Sequence, residues 1–239
     1  MQQYFISAEL SVGKVINLPK EAANHQLVVL RSVEGQKFRL ADGKGNVFLA
    51  SLLLDQNQVR SLIEEKLDID SEMKTRVTIV QGLIRSEKWD YFLQKATECG
   101  AARIVPLIMD RCVVKFNAKE DMKKVIRWNK IVSEAAEQSG RCVVPEVSAP
   151  IKISQIDSFL STLNFVAYEK SDAESFLLKN LLTETDSITL VVGCEGGFTV
   201  QEIEQLNASG FKDCSLGKRI YRAETASVVA LTTIECCLE

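Results

Sequence analysis

From Thr75 to the end of the chain, short apolar runs alternate with segments whose apolar residues recur every three or four positions. No other feature of the sequence narrows the fold so far. A short run that stays apolar instead of alternating is a strand buried on both faces. Strands joined through helices lie parallel, because each connection crosses the sheet and covers it. The runs are Thr75–Leu83, Arg103–Met109, Val143–Val147, Phe165–Tyr168, Ile188–Val192 and Lys212–Leu216. The helical pattern appears in Trp89, Phe92, Leu93, Ala96 and Cys99, closed by Gly100, and from about Asp121 to Ser139, closed by Gly140. It returns near 154–163, 172–182, 199–209 and 224–238. The expected fold is α/β, a parallel sheet with helices on both faces and its ligand at the carboxyl ends of the strands. The last helix is apolar nearly all round, which suits burial at a subunit interface.

Residues 1–72 follow another grammar. Short runs at Tyr4–Ile6, Gln26–Leu30, Lys37–Ala41 and Val47–Leu54 are separated by turn signals, among them Glu34-Gly35, Asp42-Gly43-Lys44-Gly45-Asn46 and Asp55-Gln56-Asn57. So many short strands in so little chain imply a small β-barrel. The polar stretch Glu64–Glu72 marks a boundary, giving domains of 1–72 and 73–239. Arg31, Lys37, Arg39 and Lys44 sit in or beside the first domain's strands, as a solvated face or as a grip on phosphates. Lys119, Lys123, Lys124, Arg127 and Lys130 lie on the outer face of the long helix or just ahead of it. Its inward set reads as Met122, Val125, Ile126, Val132, Ala135 and Ala136. No acidic row accompanies these cations, so they face solvent or RNA.

Bulk properties exclude several classes. Apolar residues make up 46% of the chain and charged residues 26%, as in ordinary globular proteins. No stretch approaches the roughly 18 apolar residues of a membrane span, and with no basic segment and apolar run after Met1–Phe5 a secretory leader is not expected. The seven cysteines form no C-x-x-C pair, which points to a reducing cytoplasm and away from zinc. With His25 as the single histidine, no multi-histidine metal site is expected. The net charge of −3 does not advertise nucleic-acid binding, although local patches are what phosphates meet.

The chemistry concentrates in two loops. Ile188–Val192 breaks into Gly193-Cys194-Glu195-Gly196-Gly197-Phe198, and Thr199 then starts a helix with Glu202 at the capping-box spacing. Leu216-Gly217-Lys218-Arg219-Ile220-Tyr221-Arg222-Ala223-Glu224 repeats the pattern of strand, glycine, loop and helix with positive charge. The first loop is suited to holding a small molecule by its backbone, the second to covering it. Neither carries the Gly-x-x-x-x-Gly-Lys-Ser/Thr phosphate loop or the Gly-x-Gly-x-x-Gly dinucleotide spacing. An ordinary strand-to-helix turn also accounts for the glycines, and Glu195 for a charge near a helix start. Cys194 reads as a small apolar residue, and His25 as packed, exposed or in contact with RNA.

Blocks across nearly the whole chain resemble the ribosomal RNA small-subunit methyltransferase E family of the SPOUT methyltransferases. They are His25–Arg31, Gln94-Lys95-Ala96-Thr97-Glu98, Arg103–Leu107, Arg127-Trp128 through Glu134–Arg141, Gly193–Phe198 and Leu216–Ala226. Two positions depart from the family pattern: Cys194 stands where proline is usual, and Tyr221 where leucine is usual. The resemblance implies methylation of N3 of a uridine in small-subunit ribosomal RNA, with S-adenosylmethionine as donor. It also implies a PUA-like N-terminal barrel, a trefoil knot and a homodimer.

On that basis the donor site is expected at Gly193, Glu195, Gly196, Gly197, Leu216, Gly217, Ile220, Tyr221 and Thr225, with a third loop after Tyr168. Arg222 is expected to stabilise the uracil anion. Glu224 orients that arginine, serves the proton transfer, or is only a first-turn helix acid. Arg31, Lys37, Arg39, Lys95, Arg127 and Arg141 are the expected RNA contacts. Two rival readings are an enzyme of the same superfamily acting at another RNA site, and a non-catalytic assembly factor.

Overall fold

The computed structural model describes residues 1–55, 58–116, 122–168 and 177–238. The chain divides into two compact units. One is Met1–Glu72 with Ala136–Val144; the other is Met73–Ala135 with Pro145–Glu239. The segment 136–144, assigned from sequence to the second domain, therefore clusters with the first.

The first unit holds β1 (Gln3–Phe5), β2 (Val15–Asn17), α1 (Lys20–Asn24), β3 (Lys37–Ala41), β4 (Val47–Asp55) and β5 (Gln58–Leu67). They form a five-stranded sheet in the order β1-β3-β4-β5-β2. Phe38, Leu40, Ala50, Leu52 and Ile63 are fully buried on its inner face beside Tyr4 and Ile16. The β3–β4 turn is built by Asp42, whose Oδ1 accepts from the backbone N–H groups of Lys44 and Asn46 at 2.8 and 3.0 Å. Gly43 and Gly45 supply its positive φ angles of 69° and 101°.

One expected strand is absent. Gln26–Leu30 instead forms a π-helical turn over His25–Val29, directly after α1. Only Gln26 in it is buried, so its β-branched residues have no sheet face to pack on. Helical dihedrals run on from α1 through Asn24 and His25, and Leu30 N–H closes the wide turn on the His25 carbonyl at 2.9 Å. His25 is anchored through Nδ1, 2.8 Å from the Tyr4 hydroxyl.

Arg141 is also corrected. It was expected on an RNA face, but it is 4% exposed and ion-paired with Glu72. The Glu72 carboxylate additionally accepts from Cys142 N–H at 2.9 Å and Val143 N–H at 3.2 Å. A guanidinium withdrawn from water needs that carboxylate more than it can serve phosphates. Glu72→Gln is expected to lower the unfolding free energy by about 1–3 kcal/mol, read by denaturant titration. An unchanged midpoint would contradict this role.

The second unit contains β6 (Arg76–Gly82), α2 (Ser86–Glu98), β7 (Arg103–Ile108), α3 (Met122–Ser139, whose last turn belongs to the first unit), β8 (Glu146–Val147) and β9 (Ile151–Lys152). It continues with β10 (Leu163–Ala167), α4 (Leu178–Leu181), β11 (Ser187–Val192), α5 (Val200–Ala208), β12 (Lys212–Cys214) and α6 (Ala223–Leu238). The seven strands are all parallel, in the order β12-β10-β11-β6-β7-β8 with β9 also on β7. The apolar runs of β6 and β11 are almost wholly buried, as a two-sided sheet requires.

Helix details differ from the periodic reading. In α3, Val125, Trp128 and Val132 face inward, whereas Met122 and Ile126 are 47% and 71% exposed. Trp128 sets the phase, because its ring packs 5.2 Å from that of fully buried Trp89 on α2. The segment expected as a helix at 154–163 is a 3-10 helix over Ile153–Phe159, and Leu163 already belongs to β10. Of the helix expected at 172–182, Leu178–Leu181 is seen as α4; residues 172–176 and Lys119 lie outside the described residues. No helix among the described residues is long and apolar enough to cross a membrane.

Candidate active site

At the carboxyl ends of β10, β11 and β12 the chain encloses a cavity of about 690 Å³. Its walls are residues 192–198, 214–224 and parts of 167–168 and 177, with Lys88 entering from α2. Gly193, Glu195, Gly196, Gly197, Leu216, Gly217, Ile220, Tyr221, Arg222 and Glu224 all line it; Thr225 does not, and its side chain faces outward. The expected loop after Tyr168 covers 169–176, outside the described residues.

The glycine loop is rigid for reasons internal to the protein. Thr199 caps α5: its hydroxyl accepts from Glu202 N–H at 3.2 Å, and Glu202 Oε2 accepts from Thr199 N–H at 2.8 Å. The other oxygen of Glu202 accepts from Asp110 N–H at 2.9 Å, which ties the turn after β7 to the same helix start. Glycine is needed at Gly196 because a Cβ there would lie 2.8 Å from Cβ of Arg111. At Gly193 a Cβ would meet the Phe198 ring at 3.0 Å. These glycines thus admit close packing of the protein on itself, besides leaving the cavity open.

A buried glutamine, not anticipated from sequence, connects the two loops. Gln81 Nε2 donates to the Gly193 carbonyl at 3.0 Å, and Gln81 Oε1 accepts from the Ser227 hydroxyl at 2.6 Å. Both residues are fully buried. The end of β6, the glycine loop and the first turns of α6 are therefore fixed together. Arg222 stands at the start of α6, where its carbonyl accepts from Thr225 and Ala226 N–H at 2.9 and 2.8 Å. Its backbone is held while its side chain stays exposed at the cavity, beside the positive end of the helix dipole. In the cover loop, Tyr221 takes the Arg219 guanidinium 6.0 Å from its ring centroid.

The charged lining includes a cation that no local pattern could reveal. Lys88 Nζ lies 3.2 Å from Glu195 Oε1 and 3.8 Å from Glu224 Oε1, joining positions 107 and more residues apart. The second carboxylate oxygen of Glu224, Oε2, is buried and has no hydrogen-bond partner among the described residues.

Cys194 is buried, as a small apolar residue would be, yet its thiol is pulled below the usual thiol range. The main cause is a hydrogen bond from the Cys112 thiol, which favours the Cys194 thiolate against the penalty of burial. The same bond, with burial, pushes Cys112 up. In Cys112→Ala the hydrogen bond is gone and burial remains, so ionisation is expected only at higher pH. The thiolate absorbance that disappears in Cys194→Ala reports this midpoint; an unmoved midpoint would mean the two thiols do not share a hydrogen.

The expected RNA cations are partly neutralised. Lys37 pairs with Glu64, Arg127 with Asp90, and Lys95 with Glu98 at 2.8 Å. Arg31 is exposed, with a positive φ of 52°, and Arg39 is half-buried. Among the described residues no cluster of acids, cysteines or histidine is suited to a metal ion.

A parallel α/β sheet whose strand ends meet in one glycine-rich, charge-lined cavity is the frame of a group-transfer enzyme, and residues 71–235 match the model of the RNA methyltransferase domain. The chain is 32% identical to ribosomal RNA small subunit methyltransferase E of Bacillus subtilis, over 98% of this chain and 96% of that one. It is also 32% identical to the Synechocystis protein of the same name, over 98% of this chain and 77% of that one. The crystal structure of the Neisseria gonorrhoeae enzyme of that name, bound to S-adenosyl methionine, superposes with a TM-score of 0.88 at 30% identity, covering 100% of this chain and 98% of that one. This chain belongs to the ribosomal RNA small subunit methyltransferase E family.

Proposed function

We propose that this methyltransferase places its methyl group on N3 of a uridine in small-subunit ribosomal RNA, using S-adenosylmethionine as donor. The observation that carries the reading is the cavity itself, where the glycine loop, the cationic loop, Arg222 and Glu224 face one another. Its volume is within the range of cofactor pockets. Backbone of Gly193, Gly196, Leu216 and Ile220 suits the adenosine end, and the carboxylates of Glu195 and Glu224 suit a positively charged donor. Bound there, the donor supplies a methyl group on a sulfonium, ready for in-line displacement.

The rest falls to the chain's residues. N3 of uridine is a weakly acidic imide that attacks well only as its anion. The Arg222 guanidinium favours that anion by facing the uracil oxygens. Glu224, with one oxygen unpartnered, accepts the N3 proton directly or through water. Bound between these walls, donor and nucleobase would be aligned by the chain, and alignment is a large share of such a displacement.

We further propose that the five-stranded sheet is a PUA-like RNA-binding barrel and that the second unit carries a trefoil knot. Support for the knot is that β12 lies beside β10, while α6 returns against β6 and β11. A homodimer is proposed through α6, where Val228, Val229 and Leu238 stay partly exposed. The cytoplasm is the compartment proposed for a chain whose cysteines are all free.

Labelled donor incubated with small-subunit RNA or assembled subunits, followed by nucleoside digestion, tests the reading: N3-methyluridine is expected. Label on another nucleoside favours the rival site, and donor-independent binding without transfer favours the assembly factor. RNA affinity should fall steeply with salt. Arg31→Ala should reduce the slope of log affinity against log salt by about 1, whereas Lys95→Ala, with Glu98 already beside it, should change it less. A flat salt dependence would remove these cations from the interface.

A further inference from the structure

We infer that Lys88 is a positioning residue for the reaction, holding the Glu224 carboxylate so that its second oxygen is presented to the uracil imide. This rests on the uridine-N3 reading above. Lys88 projects from the first turn of α2, and its ammonium lies between two carboxylates of different loops, 3.2 Å from Glu195 and 3.8 Å from Glu224. All three side chains line the cavity, with exposures of 32%, 23% and 12% in that order. At such burial the two acids repel each other more strongly than in water, and a shared cation reverses the sign of the interaction.

The consequence for Glu224 is orientational. Its Oε1 faces Lys88, so Oε2 is the oxygen left buried and without a partner among the described residues. A buried acceptor in that state costs free energy unless a bound donor group meets it. The N3–H of a uracil, or a water hydrogen-bonded to it, is such a donor. The frame around the carboxylate is fixed: α2 packs on α6, and Ser227, three residues after Glu224, is bonded to Gln81 at 2.6 Å. Lys88 therefore sets the one remaining freedom, the side-chain torsions of Glu224. Glu195 completes the clamp by holding the ammonium from the glycine loop.

The test is single-turnover methyl transfer to small-subunit RNA, with donor affinity measured by calorimetry on the same full-length proteins. Lys88→Met is expected to lower the transfer rate on the order of 10²-fold, the scale of a misplaced reacting group, without weakening donor affinity. Lys88→Arg, which keeps the charge, should recover most of the rate. Because Lys88 acts through Glu224, the double variant Lys88→Met/Glu224→Gln should be no slower than Glu224→Gln alone. A Lys88→Met rate equal to wild type, or a double variant showing the product of the two single losses, would overturn the role. So would failure of Lys88→Arg to exceed Lys88→Met. If the wild-type protein itself makes no N3-methyluridine, the substrate reading falls and this role with it; wild-type product with an unaffected variant overturns the role alone.

Discussion

Replacing Arg222 by alanine is expected to lower the single-turnover rate by about 10²–10³-fold, the scale of removing one preorganised donor from a developing anion, while donor affinity stays as in wild type. The asymmetry follows from where the side chain hangs. Its carbonyl is locked into the first turn of α6, its side chain is exposed at the cavity, and the bonds that hold the glycine loop do not involve it. An interaction made only as N3 gains charge affects turnover and leaves ground-state binding alone. Arg222→Lys should fall between, because lysine keeps the charge and loses the planar two-pronged geometry that matches a carbonyl and its neighbour. Unchanged transfer in Arg222→Ala would take Arg222 out of the chemistry.

The second large effect is expected at Gly82, which is not part of the cavity lining. Gly82 ends β6, and a Cβ there would lie 2.5 Å from the backbone nitrogen of Cys194 and 2.9 Å from the carbonyl carbon of Gly193. Met109 Sδ, also at 2.5 Å, could swing aside, but the peptide between Gly193 and Cys194 cannot. Gly82→Ala should therefore push the glycine loop outward, strain its bond to Gln81 and cost about 1–3 kcal/mol of stability. Displacing the loop by even 1.4 kcal/mol of that amount would weaken donor binding roughly tenfold. Calorimetry and denaturant titration on one preparation separate the two losses. Wild-type donor affinity in Gly82→Ala would show that the loop tolerates displacement.

Much of this architecture is legible along the chain. Uninterrupted apolar runs such as Ile188–Val192 identify strands with two covered faces, and the Thr199/Glu202 spacing locates a helix start that the structure closes with both capping bonds. Local signals failed where a neighbouring element decides. Gln26–Leu30 has the composition of a strand, yet α1 hands it helical dihedrals and no sheet face awaits it. Ile126 matches the helical period of α3, but Trp128 meeting Trp89 rotates the helix and leaves it exposed. Arg141 sits in a run of polar residues, and only the fold reveals that Glu72 has claimed it.

The cavity divides in the same way. The loops that line it are contiguous stretches with glycine and charge, so they can be read directly. Gln81, Gly82 and Lys88 act across sheet neighbours, β6 beside β11 and α2 against α6, and these contacts arise only once the crossovers are made. The glycines of the first loop were expected to let a small molecule be held by the backbone. The structure gives an additional reason: Phe198 and Arg111 already occupy the space a Cβ would need.

What decides whether this cavity methylates uridine N3 is the fate of that modification in cells. Small-subunit ribosomal RNA from cells lacking the protein, digested and mapped by mass spectrometry, should have lost one N3-methyluridine that wild-type cells carry. Restoring the intact protein should bring it back, and restoring Arg222→Ala should not. Persistence of every N3-methyluridine in the deleted strain, or loss of a different modification, would contradict the assignment.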